Sequence, residues 1–321
     1  MPRVTKRGKH ELPKTRGGCL WKLFAVIVFL AIALFIAFQV FSSEEQVPST
    51  LTPTPQVDSP EPTPIPTPEQ VPTESLEVIE TPRIDPFGEV EAEMFLHAEY
   101  VHYSIYYFSD GVWYSSDESS AMPAASVIKI FIMQYAYLLI ERGELAESDM
   151  IGGHTVRRLI ELMVQRSDNT ATNILIDRFG MENINQFILE QGFSDTVLQR
   201  RMLDMDARNQ GFDNYTSTRD AMEFLRRLYD NRMVFPYSEM LEIMEGQEIR
   251  TKIHLFLPSG TVVASKTGEL PDVENDMGLV FTEGGVFAIV VLSDGVRNTT
   301  AARQAIGQLA LQAYDYAVGG R

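Results

Sequence analysis

The chain has 321 residues, of which 45% are hydrophobic, and a formal net charge of −17. That length allows one large core, and the acidity argues against a nucleic-acid partner. Any anionic ligand needs a local cationic pocket.

Residues 1–22 carry seven Lys or Arg against Glu11, a net +6 that leaves −23 for everything after them. Leu23 to Phe41 follows, 19 residues that are apolar except for Gln39. At ~1.5 Å per residue such a helix crosses a bilayer, and the basic flank stays cytoplasmic. The run has no small-x-small cleavage site, so an uncleaved anchor is expected rather than a removed signal peptide. Cys19 precedes the apolar run, where lipoprotein-type attachment is not expected. Residues 42–86 hold eleven prolines among Thr, Glu and Ser, the composition of an extended polyproline stalk that cannot bury enough to offset its ordering entropy. The remainder, 87–321, lacks cysteine, which suits a domain held outside the cytoplasm at the cell membrane.

Within that domain, Tyr100 to Phe108 and Val112 to Ser116 read as strands around an Asp110-Gly111 turn. Pro123 signals a helix start, and the helix closes at Glu141-Arg142-Gly143. From Thr155 to about Leu257 the pattern is of successive helices with Gly or Asn punctuation. Strand patterns return at Thr261 to Gly268, Met277 to Phe281 and Val286 to Leu292, and a last helix runs from Thr300 to about Val318. Strands at both ends with helices between predict an α/β (α+β) domain: one antiparallel sheet completed by both chain ends, with an all-helical subdomain inserted. A cleft is expected where the two lobes meet.

Three short patterns carry chemistry. Ser126-Val127-Ile128-Lys129 sits at the start of the first long helix, where residues three apart share a face. An amine one turn from a serine hydroxyl can act as its base once burial and a second cation depress the amine's pKa. Ser167-Asp168-Asn169 lies at a helix junction and also reads as a plain N-cap. Lys266-Thr267-Gly268 ends a strand and also reads as a strand end with a turn glycine. Each alone is commonplace; the three in this order and on these elements are far rarer. The five histidines show no metal-binding spacing, and neither a Gly-x-Ser-x-Gly elbow nor a phosphate loop occurs, so no metal or other cofactor is expected.

Taken together, these elements resemble the class A β-lactamases and penicillin-binding proteins over roughly residues 87–321. Arg166 to Asn173 and Asp276-Met277-Gly278 extend the likeness. The resemblance implies a β-lactamase/transpeptidase-like fold and a monomer in which Ser126 is acylated, Lys129 is its base partner and Ser167 passes a proton to the departing nitrogen. Asn169 would hold the substrate's amide side chain, Lys266 and Thr267 would meet its carboxylate, and Gly268 completes the motif. The backbone N–H groups of Ser126 and Glu269 would form the oxyanion hole.

One departure stands out. Class A enzymes carry a glutamate within Arg-x-Glu-x-x-Leu-Asn that activates the deacylating water. The matching stretch here is Leu198-Gln199-Arg200-Arg201-Met202-Leu203-Asp204. Either arginine as anchor puts Met202 or Leu203 at the glutamate's position, leaving Asp204 as the possible deacylation base, with Asp206 beyond it. The resemblance therefore leaves three readings open: a β-lactam hydrolase with slow deacylation, a D-Ala-D-Ala peptidase or transpeptidase acting on peptidoglycan stems, and a binding module without turnover.

Overall fold

The computed structural model describes residues 86–319. The basic tail 1–22 and the apolar span 23–41 lie outside the described residues, as does the stalk 42–86 up to its last residue. Among the described residues no helix is long and apolar enough to cross a membrane.

Five antiparallel strands form one sheet. The N-terminal part supplies β1 (Tyr100–Tyr107) and β2 (Trp113–Ser115); the C-terminal part supplies β7 (Val262–Leu270), β8 (Val273–Thr282) and β9 (Gly285–Asp294). Their order is β2-β1-β9-β8-β7, so β1 pairs with β9, Ser104 opposite Val290, and joins the chain's two ends. β7 lies at the edge. The inward and outward positions of β9 alternate strictly. Phe287, Ile289 and Val291 enter one core, whereas Ala288, Val290 and Leu292 enter the other. Both faces are covered, which is why the strand reads as an unbroken apolar run.

One face packs on α1 (Gly88–His97) and α9 (Thr299–Val318). The other carries the helical block: α2 (Lys129–Glu141), α3 (Val156–Gln165), α4 (Asn169–Phe179), α5 (Met181–Glu190), α6 (Met205–Asn209), α7 (Thr218–Asp230) and α8 (Tyr237–Glu245). α2 is its axis, apolar nearly all round and buried between its neighbours, with Phe131 edge-on to Phe193 and Phe224. An all-round apolar helix is stable only when enclosed in this way. Short strand pairs β3 (Met122–Pro123) with β6 (Tyr215–Thr216), and β4 (Met150–Ile151) with β5 (His154–Thr155), stitch the loops. The expected β-lactamase/transpeptidase-like α+β architecture is thus the one observed.

Three local expectations change. Pro123 does not start the helix; it pairs with Tyr215 in β3, and a 3₁₀ turn over Ala125–Ile128 precedes α2. The helix α1, whose capping and periodic signals are weak, was not anticipated; packing against α9 supplies what its sequence lacks. β8 begins at Val273 rather than Met277, because Glu274, Asn275 and Asp276 are buried polar residues whose partners are reached only in the folded chain.

Candidate active site

The turn that presents Ser126 is held from three sides. Asn275 Nδ2 of β8 donates to the Pro123 carbonyl at 2.8 Å, and Ala124 N–H donates to the Asn214 carbonyl at 2.8 Å. On the third side, Gly268 of β7 approaches so closely that a Cβ there would lie 2.9 Å from the Ala124 oxygen and 3.2 Å from Ala125 Cβ. Ala125 itself has φ 47°, a left-handed conformation costly for a residue with a side chain. The same strain recurs at Ser167 (φ 55°) and Leu203 (φ 65°), so among the described residues the three left-handed non-glycine positions all border this one region.

Lys129 is the first residue of α2 and is fully buried. Its ammonium lies 2.7 Å from the Ser167 carbonyl, 3.1 Å from Ser167 Oγ and 2.9 Å from Asn169 Oδ1. Among the described residues no hydrogen bond joins it to Ser126 Oγ, although the 3₁₀ turn stacks residues 126 and 129 on one side. Burial pushes its pKa from 10.5 down to about 7, only partly opposed by the Asp168 carboxylate. A neutral amine has two N–H donors and one lone pair. The Ser167 carbonyl and Asn169 Oδ1 can take both donors, which leaves the lone pair for a hydroxyl proton.

Lys266, fully buried on β7, donates to Ser167 Oγ at 3.1 Å and to the Thr267 carbonyl at 2.7 Å. Ser167 Oγ therefore sits between two lysine nitrogens. Burial, and next the neighbouring Lys129, hold Lys266 well below the usual lysine value. Beneath it Asp276, wholly buried, accepts from Ile253 N–H at 3.1 Å and Met277 N–H at 3.0 Å; desolvation raises it to about 6 despite Lys252. The capping reading of the second pattern holds, since Asp168 Oδ1 accepts from Ala171 N–H at 2.7 Å. One tripeptide both starts α4 and points Ser167 at the two lysines.

A cleft of about 60 Å³ opens beside Ser126, walled by Asn169, Met202, Leu203, Met205 and Glu269. Lys266 and Thr267 are buried and do not line it. Arg200 anchors the loop on the far wall: it is 4% exposed and paired with buried Asp213 at 2.7 Å, whereas Arg201 meets Asp177 at the surface. This settles which arginine is the anchor and puts Met202 two residues beyond it, with its backbone held by both amide atoms of Asn173. Asp204 is exposed and caps α6, accepting from Ala207 N–H at 2.9 Å; it is not among the residues that line the cleft. A larger cavity of about 140 Å³ lies elsewhere, among α2, α5 and α8, and holds none of these groups.

Sequence reading missed a cluster on the other face of β7. Lys252, fully buried, bonds Glu269 at 2.7 Å and Glu274 at 2.9 Å, and Arg303 of α9 reaches the same two carboxylates at 3.2 and 2.8 Å. The β7–β8 hairpin sets Glu269 opposite Glu274, and Lys252 and Arg303 reach the pair from outside it, 17 and 29 residues away from Glu269 and Glu274 respectively.

The site thus combines a serine one turn from a buried low-pKa amine, a second hydroxyl shared by two lysines and an edge strand beside the cleft. The chain belongs to the β-lactamase enzyme family, whose profile matches residues 89–317. A β-lactamase of Bacteroides uniformis is 29% identical over 144 residues, covering 41% of this chain, and the match spans about half (49%) of that relative's length. The β-lactamase from Sphaerobacter thermophilus superposes with a TM-score of 0.65 at 26% identity, over 74% of this chain and all of the other. PBP-A shares the fold at 23% identity (TM-score 0.63; 71% and 95% covered), and a leucine-to-glutamate variant of it has been solved as an acyl-enzyme with penicillin G.

Proposed function

We propose that the protein is a membrane-anchored, extracytoplasmic acylating serine hydrolase that opens a β-lactam or related cell-wall amide through a Ser126 ester and releases it slowly. The observation that carries this is the buried Lys129 amine, drawn down to about 7 within one helical turn of Ser126. In the free state it is parked on Ser167 and Asn169. With a substrate carbonyl in place, Lys129 takes the Ser126 proton, and the hydroxyl attacks to form the acyl-enzyme. The strand β7 is free along the edge facing the Ser126 turn, so the N–H of Glu269 together with that of Ser126 suits the developing oxyanion. Ser167, bonded to both lysines, then relays a proton to the leaving nitrogen, and Asn169 offers its amide to the substrate's side chain.

Slow release rests on the loop. The walls contributed by Met202 and Leu203 are apolar, and Asp204 is turned to capping. A positioned general base contributes ~10²- to 10⁴-fold, so an acyl-enzyme here should persist. That favours a burst of one equivalent followed by slow turnover. The likeness to PBP-A supports a D-Ala-D-Ala peptidase as the second reading. A labelled penicillin should add one adduct to the domain and none to Ser126→Ala; equal labelling of both would overturn the assignment. Rapid linear hydrolysis without a burst would overturn slow release.

A further inference from the structure

Two polar side chains are buried on α2, Lys129 and Gln134. The first is bonded to Ser167 and Asn169. The second has no part in the site around Ser126, and its Oε1 accepts no hydrogen bond although the residue is only 6% exposed. A buried amide left without a partner is costly, so the position is open to a ligand that supplies one. Gln134 lines the cavity of about 140 Å³ among α2, α5 and α8, and so do Leu138 and Glu141. Those three positions fall at i, i+4 and i+7, one stripe of α2 that is polar at each end and apolar in the middle. Phe187 of α5 and Met240 of α8 supply apolar walls beside it.

Charge narrows the ligand. No Lys or Arg lines the cavity, and Glu141 is its exposed acid. Two further acids of α8, Glu239 and Glu242, are taken by Arg157 at 2.6 and 3.3 Å, whereas Glu141 has no ion pair among the described residues. Seven residues at ~1.5 Å each set the two polar ends of the stripe ~10 Å apart, a span for one ring with a polar group at each end. An apolar cavity of ~150 Å³ takes up benzene, so one ring is also what the volume allows. We propose that this cavity is a second ligand site, separate from the Ser126 cleft, for a small aryl-alkyl ammonium. The ring lies between Leu138, Phe187 and Met240, the ammonium meets Glu141 at the rim, and a hydroxyl or amide at the far end of the ring bonds Gln134. A half-turn of the Gln134 amide exchanges its oxygen and nitrogen, so it answers either a donor or an acceptor. The site stands or falls independently of acylation at Ser126.

The test titrates the full-length protein calorimetrically with tyramine, with phenethylamine, which lacks the ring hydroxyl, and with 4-hydroxyphenethyl alcohol, which lacks the ammonium. Tyramine should bind tightest of the three. Gln134→Leu removes the amide at nearly constant volume, so it should weaken tyramine by ~3- to 10-fold and leave phenethylamine within about two-fold. Glu141→Gln should weaken both amines by ~2- to 5-fold, as expected for an exposed charge, and leave the alcohol unchanged. Leu138→Trp, which fills the cavity from a half-buried position, should abolish binding of all three. No binding of tyramine to wild type, the alcohol binding as tightly as tyramine, or equal weakening of the two amines by Gln134→Leu overturns the proposal. If Gln134→Leu does not fold, Leu138→Trp decides: retained tyramine binding there overturns it, and loss of binding supports it.

Discussion

Lys129 shows how a single side chain can be chemically prepared by its surroundings. Transferring an ammonium into a buried site with only polar neutral partners penalises the charged form, and the Asp168 carboxylate recovers only part of that cost. If Lys129 is the base, acylation by a β-lactam should rise with pH and level off above about 7. Asp168→Asn, which keeps a capping side chain, should shift that midpoint downward. Lys129→Ala should slow acylation by ~10²- to 10⁴-fold. Stopped-flow acylation rates across pH 5–9 check all three, and a flat profile would exclude Lys129. The same depression has a stability consequence. A folded-state value of about 7 against 10.5 means that the native state binds fewer protons over that window, so this residue's contribution to stability increases as pH rises through it. On the proposed slow-release reading Met202 is the complementary case, an apolar side chain where that reading needs a general base. Because Arg200 is the buried anchor, Met202→Glu places a carboxylate where the loop meets the cleft, and the slow phase of turnover should accelerate on the order of 10²-fold while the burst remains. An unchanged slow phase in a folded variant would show that the water is activated from elsewhere.

Among elements, the contact between β7 and the Ser126 turn is the one that makes the site. An edge strand normally leaves N–H groups facing solvent; here they face the turn, and Gly268 permits the approach. Gly268→Ala would put a methyl group 2.9 Å from the Ala124 oxygen, so either β7 or the turn must shift. Overpacking of this kind costs about 1–3 kcal/mol, and a displacement of ~1 Å can cost on the order of 10²-fold in rate. A lowered melting temperature accompanied by a drop in acylation is expected. A stable variant with wild-type acylation would show that the close approach is incidental. The loop from Arg200 to Asp213 is fixed by different means, a buried ion pair that Arg208 extends to Asp272. Breaking such a pair leaves an uncompensated buried charge, which is why this wall of the cleft is well defined although little of it is regular structure.

For the whole chain, the proposal adds an anchor to the domain. The 19-residue apolar run behind a +6 flank should keep the full-length protein in the membrane pellet after alkaline carbonate, with the catalytic domain open to protease from the outer face. Recovery of a soluble form beginning near Ser42 would favour a cleaved signal. Much of this protein could be read from its residues in order. Strand and helix periods are local, so the sheet-helices-sheet arrangement was visible, and the three short motifs mark Ser126, Ser167 and Lys266 because each fixes a side chain within one turn or one strand. What could not be read was anything that depends on distant segments meeting. The sequence permitted two anchoring arginines, and burial against Asp213 chose Arg200. It suggested that Ser126 and Lys129 would meet, while the fold brings Lys129 to Ser167 and Asn169 instead. It offered no sign that Lys252, Glu269, Glu274 and Arg303 belong together, since charge pairing across a sheet and a helix leaves no period along the chain. Local pattern determined the elements and the reactive groups; strand register and burial, which exist only once the chain is folded, decided their partners and their protonation.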